Sequence, residues 1–242
     1  MIPGPRETAP ANTTIASLSQ VARATGATYV IITICALFAE FFVRGTLVVR
    51  GDPAATAERI AQSETLFRVG LTADIVTLVC DCVLAALLYI LLSPTNRTLA
   101  AVAAALRLGM VSMASISIAL SVIALNLITG DAATTAQQSS ALLALQARSQ
   151  IANAAMIFFA AHLLMIGWLV WRSAYLPRLL APLLMLAGAC YLANSIGSIV
   201  YPGVLRPAFP YFAAIWAIAE WSFALWLLFV GVRLRKQNED AA

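Results

Sequence analysis

The chain alternates between long apolar runs and short polar connections, with the runs near residues 27–49, 71–92, 99–128, 151–171, 179–201 and 209–232. A hydrocarbon core of about 30 Å takes about 20 apolar residues of helix, so each run predicts one membrane-spanning helix. The third run is long enough to tilt or to project from the bilayer. Ser93-Pro94-Thr95-Asn96 and Leu176-Pro177 read as helix stops. The expected fold is therefore all-α, a polytopic membrane bundle of about six helices. Residues 1–26 contain Pro3, Pro5 and Pro10 among Ser, Thr and Ala and have no apolar core, so they read as a polar tail and not a signal peptide. Residues 27–233 then form one transmembrane domain, and 234–242 a second polar tail. Residues 53–68 mix Ala, Ile, Leu and Phe with charges and predict an interfacial amphipathic helix on one surface, whereas 129–150 reads as a long loop on the same side.

Composition supports the membrane class. Hydrophobic residues make up 62% and charged residues 11% of the 242 positions, with mean hydropathy +0.88, against roughly 25% charge in soluble domains. The net charge of +4 is spread between apolar runs, which excludes a nucleic-acid face and turns attention to orientation. Arg6, Arg23, Arg97, Arg172, Arg178, Arg233, Arg235 and Lys236 fall on one side. Arg44, Arg50, Arg59, Arg68, Arg148 and Arg206 fall on the other, offset there by Asp52, Glu58 and Glu64. The positive-inside rule places both termini in the cytoplasm of a bacterial cell, with the protein in its inner membrane. The only lysine, Lys236, lies in the tail, which removes a Schiff-base chromophore from the core. Cys35, Cys80, Cys82 and Cys190 sit in apolar runs and behave as small buried hydrophobes.

Ionisable side chains inside spans are costly and mark functional candidates. Glu40, Asp81, Arg107, His162 and Glu220 qualify. Counted at 1.5 Å per residue from the terminal side, they fall at depths of roughly 12–20 Å, one layer of the bundle. Helical spacing puts Asp74, Thr77 and Asp81 on one face, with Arg68 about a turn before it, and groups Tyr29 and Thr33 with Glu40 and Arg44. Tyr191, Asn194, Ser195, Ser198 and Tyr201 form an uncharged stripe, and Trp216 lies one turn from Glu220. These stripes are expected to face one another, since lipid offers them no partner. With Glu40 holding Arg44, Asp81 and Glu220 face a single Arg107, and a proton, a cation or charged His162 completes the balance. The alternative is a structural Asp81–Arg107 pair with a neutral, hydrogen-bonded Glu220.

Other chemistries find little support. In Cys80-Asp81-Cys82 the thiols flank the carboxylate and cannot share its face. With one histidine in the chain, no metal or cofactor is expected, and His162 with Asp81 and Glu220 is the remaining metal alternative, poor in soft ligands. Haem on His162 with Met156 or Met165, or a serine nucleophile at Ser195 or Ser198, has no motif behind it. Three functions remain open. The first is binding or transport of a small molecule, proton or cation through a midplane cavity. The second is an enzyme acting on a lipid-soluble substrate, with Glu220 or Asp81 as general acid–base and His162 as its partner. The third is a non-catalytic sensor or partner protein that uses 53–68 and 129–150. The bilayer is the expected partner, with a small-molecule or lipid ligand. Small residues such as Gly109, Ala114, Ser115 and Ala119 permit a homo-oligomer.

Several runs carry a resemblance. Gly51-Asp52-Pro53-Ala54-Ala55-Thr56-Ala57, Phe67-Arg68-Val69-Gly70, Leu88-Tyr89-Ile90-Leu91-Leu92-Ser93-Pro94 and Ala105-Leu106-Arg107-Leu108 are quoted in chain order. They are followed by Ser173-Ala174-Tyr175-Leu176-Pro177-Arg178 and by Ala219-Glu220 leading to Leu225-Trp226-Leu227-Leu228. Together they resemble the bacterial family called Domain of Unknown Function 4386, over nearly the whole chain. The resemblance implies a multi-pass bacterial membrane protein. It brings no activity, and it sets Arg68, Asp81, Arg107 and Glu220 within or beside the shared segments.

Overall fold

A computed structural model describes residues 11–49, 51–130, 134–201 and 203–232. The expected C-terminal tail and residues 1–10 of the N-terminal one lie outside the described residues, as do Arg6, Arg50, Arg233, Arg235 and Lys236 of the charge count. All described elements are helical: α1 (Ala11–Leu37), a π turn (Phe38–Arg44), α2 (Gly45–Leu47), α3 (Pro53–Gln62), α4 (Glu64–Leu92) and α5 (Arg97–Thr129). They continue with α6 (Thr135–Arg172), α7 (Leu180–Val200), a 3-10 turn (Arg206–Ala208), α8 (Phe209–Leu225) and a second π turn (Trp226–Val230). Six helical stretches, α1 through α2, α4, α5, α6, α7 and α8 with its π turn, are long and apolar enough to cross a membrane. The protein is an all-α, polytopic helix bundle.

The helix starts follow local chemistry. Asn96 Oδ1 accepts the Leu99 amide at 3.0 Å, and Asp52 Oδ1 accepts that of Ala55 at 2.9 Å with Pro53 following it. Thr134 and Gln137 form a reciprocal capping box, the Thr134 amide donating to Gln137 Oε1 at 2.8 Å.

Three boundaries depart from the sequence reading. Helix α1 already runs from Ala11, the first described residue, and not from near 27; Thr25 and Thr28 return their hydroxyls to the carbonyls of Val21 and Ala24, so the hydroxyls do not oppose the helix. The expected loop 129–150 is mostly the first turns of α6, started by the capping box and packed through Ala141, Leu142, Ala144 and Leu145. The outer helix ends at Gln62, because Ser63 leaves helical geometry at φ −127°, ψ 39°, and residues 64–68 open α4 instead.

The spans run up and down. The start of α1, the α4–α5 and α6–α7 connections and the end of α8 mark a terminal end; α3 and the other connections mark the far end. Two cores result. At the terminal end all six spans contribute, among them Ala22, Leu88, Ala103, Leu163, Leu184 and Phe223. Here α1 and α8 are drawn together at Gly26, where a Cβ would overlap Leu228 N and lie 2.7 Å from Ala224 O. At the far end a second core joins Val43, Leu47, Ile60, Phe67, Leu125 and Leu145, and among the described residues it takes nothing from α7 or α8. The α7–α8 hairpin is thus anchored in the first core and, among the described residues, has no part in the second.

Candidate functional site

Arg107, on α5, is 1% exposed at the centre of the bundle. Its Nη2 and Nε donate to Asp81 Oδ1 on α4 at 2.5 and 3.1 Å. Nη1 donates to Tyr29 Oη at 3.4 Å and meets His162 Nε2 at 3.2 Å. The guanidinium carbon lies 5.2 Å from the Tyr29 ring centre and 5.4 Å from that of Phe159, so two aromatic faces take the place of water beside the charge. His162 Nδ1 stands 2.8 Å from the Ala103 carbonyl. A carbonyl only accepts and a guanidinium only donates, so the ring carries its proton on Nδ1 and is neutral. The alternative of a charged His162 is therefore corrected by this geometry.

Glu220, on α8, accepts a hydrogen bond from Tyr191 Oη of α7 at 2.8 Å. No cation pairs with it among the described residues. Tyr191 stacks on Trp216 at 4.0 Å and 5° and meets Phe159 edge-on at 5.2 Å. Phe159 in turn stacks beside His162 at 6.0 Å. Aromatic rings thus connect the two carboxyl groups across the interior, and Trp216 enters the site through Tyr191.

Glu40 and Arg44 do not join this layer, contrary to the single layer expected. Arg44 Nε donates to Glu40 Oε2 at 2.8 Å, as the spacing predicts, but its two Nη atoms turn to Asp74 at 2.6 and 3.3 Å. Arg148 Nη2 lies 4.0 Å from Glu40 Oε2. These two cations and two anions form a separate, balanced group toward the far end. Asp74 and Asp81 share a face of α4 but are about 10 Å apart along it, enough for each to take a different arginine. Arg68 joins neither group and pairs with Glu64 at 2.6 Å on the exposed start of α4. Arg68→Ala is accordingly expected to change stability by no more than about 0.5 kcal/mol, as a surface i,i+4 pair should; thermal melting in detergent checks it.

Toward the far end, α6, α7 and the start of α8 line a cavity of about 650 Å³ together with Val48 and Gly51 of the α2–α3 connection. Asn194 and Ser198 of the α7 stripe line it, together with Gln146, Ser149, Gln150 and Asn153 of α6 and Phe209 of α8. Phe209 meets Trp216 edge-on at 5.8 Å, linking this vestibule to the ring stack of Trp216 on Tyr191, which holds Glu220.

The sequence reading missed three participants. Spacing groups Tyr29 with Glu40, but it sits with Arg107, roughly 16 Å away along the helix. The run lengths place Arg148 in a loop, but it reaches Glu40 from within α6. Phe159 gave a signal in its spacing, three residues before His162 on the same helix face. No group of three His, Cys, Asp or Glu is placed to hold a metal among the described residues; His162 gives one ring nitrogen to Ala103 and turns the other to a cation. Gly109, one of the small residues considered for oligomer contacts, packs within the chain, where a Cβ would come 3.1 Å from Phe158.

No curated protein and no solved structure matches the chain. The family model described as Domain of unknown function (DUF4386) matches residues 24–231, which span every group described above. The chain is a multi-pass membrane protein that belongs to this family.

Proposed function

We propose that the protein binds or moves a small molecule, proton or cation through its interior, with Glu220 as the responsive group. One observation carries this reading. Asp81 already balances Arg107 at 2.5 Å, which leaves Glu220 held by Tyr191 alone, with no cation against it among the described residues. A proton or a bound cation completes that charge balance, since an isolated carboxylate in an apolar interior is costly. The arginine distribution favours termini in the cytoplasm of a bacterial inner membrane, so the vestibule opens outward.

The test uses Trp216, whose ring stacks on the tyrosine that holds Glu220. In proteoliposomes the wild type is expected to show pH-dependent tryptophan fluorescence and proton- or cation-coupled flux. Glu220→Gln should remove the fluorescence change and lower flux at least about tenfold, the scale of losing a charge-assisted contact, while the melting transition persists. Asp81→Asn should impair flux as well. Flux and fluorescence unaltered in Glu220→Gln, with only the melting temperature moved, would show a purely structural network.

A further inference from the structure

We infer that the far-end vestibule is a binding site for an uncharged head group bearing hydroxyl or carbonyl oxygens, carried by an amphiphile whose chain lies along the apolar part of the same wall. Among the described residues the lining supplies dipoles and no charge. Gln146, Ser149, Gln150 and Asn153 face it from α6, and Asn194 and Ser198 from α7. Ser149 donates its hydroxyl to the Leu145 carbonyl at 3.2 Å. Among the described residues the side chains of the other five make no hydrogen bond within the protein, so four carboxamides and a hydroxyl keep both donors and acceptors for a guest. A site built this way pairs with neutral polar oxygens; an ion entering it would lose its hydration without meeting an opposite charge. The balanced group of Arg44, Arg148, Glu40 and Asp74 adds no net charge, and Glu220 does not line the cavity but accepts from Tyr191, whose ring stacks on Trp216.

The rest of the wall is apolar, with Leu142, Leu205 and Phe209 lining the same space. A free polyol would leave those surfaces against water, whereas an acyl chain covers them. A volume of about 650 Å³ lies within the range of small-molecule sites. Trp216, in edge contact with Phe209, has its Nε1 buried without an acceptor, and so one donor remains unused at this end of the stack.

The experiment titrates full-length protein in detergent with a monoacylglycerol brominated near the head of its chain, and reads quenching of tryptophan. The expected result is saturable quenching, lost in Trp216→Phe and competed by unbrominated monoacylglycerol but not by glycerol. Asn153→Ala and Asn194→Ala should each weaken it roughly tenfold with the melting transition retained; Gln150→Ala, at an exposed position, repeats the test with little risk to folding. Equal competition by glycerol would overturn the amphiphile and leave a free polyol. Equal or tighter binding of an anionic phosphatidylglycerol or of a cationic amphiphile of the same chain length would overturn the uncharged head group. Quenching untouched by all three amide substitutions would overturn the site. The inference does not rest on Glu220: loss of the pH-dependent fluorescence with probe binding kept would reject only the charged-centre reading, and the reverse result would reject only the vestibule.

Discussion

Arg107→Leu is expected to destabilise the protein by about 3–5 kcal/mol, the range found when one partner of a buried ion pair is removed. The cost does not come from the lost attraction alone. Without the guanidinium, Asp81 remains 6% exposed with no cation facing it, His162 Nε2 loses its donor, and Tyr29 and Phe159 face a space where a flat cation stood. The double substitution Arg107→Leu with Asp81→Leu should recover most of the loss, because neither charge is then stranded. Thermal melting of the purified protein in detergent separates these outcomes. A double variant no more stable than Arg107→Leu would mean that the stacking and hydrogen bonds of Arg107, and not its pairing with Asp81, hold the centre together. Arg107→Lys should fall short of wild type as well, since an ammonium lacks the planar fork that reaches Asp81, Tyr29 and His162 together.

The second large effect is expected at Gly26. A Cβ there would overlap Leu228 N, lie 2.7 Å from Ala224 O and 2.8 Å from Leu228 Cα, and all three are backbone atoms of the α8 segment. A flexible side chain could turn aside, but a helix backbone moves only as a unit, so Gly26→Val should force α1 and α8 apart at the terminal end. Overpacking of this kind costs about 1–3 kcal/mol, and here it would also separate Tyr29 from Phe223, whose rings meet edge-on at 5.9 Å. Gly45→Ala is the control: Gly45 has helical φ −61°, and its nearest obstacle is Glu40 O at 3.4 Å, so no loss of stability is expected. Melting curves of the two variants, with disulfide trapping of a cysteine pair across α1 and α8, report both stability and separation. Unchanged trapping in Gly26→Val would show that the two helices are held together elsewhere.

The α7–α8 hairpin explains why one end of the bundle is closed and the other hollow. At the terminal end Phe223 meets Tyr29 of α1 edge-on, and Ala219 and Leu227 belong to the same core, which Leu180, Leu184 and Ala187 of α7 also join. Toward the far end, α1 and its π turn lean through Val43 and Leu47 onto the core shared with α3, α4 and α5. The helices that hold Asn194, Ser198 and Phe209 have no part in that core among the described residues, and the vestibule occupies the resulting space.

Much of this was legible from residue type and spacing. Six apolar runs of bilayer length predict six spans, and the rarity of charge inside them picks out Asp81, Arg107, His162 and Glu220, since lipid penalises each of these wherever its helix points. The Glu40–Arg44 pair was readable too, because i,i+4 neighbours on one helix meet regardless of what surrounds them. That α1 already runs from Ala11 and that α6 starts at Thr135 was not, since Thr, Ser and Gln are ordinary in tails and loops and become helical here through hydroxyls turned back to the chain and through packing.

Taken alone, the amino-acid order determined the membrane class, the number of spans and the costly side chains buried in them, because solvation in lipid acts on each residue by itself. Tertiary structure decided which carboxylate takes Arg107, which hydroxyl holds Glu220, that Arg44 belongs to Asp74 in a second group, and that a cavity lined in part by amides and hydroxyls opens beside α7. Those outcomes depend on how each helix is rotated and how far it leans from its neighbours, and rotation and tilt are set by contacts such as Gly26 on Leu228 that join residues distant in sequence.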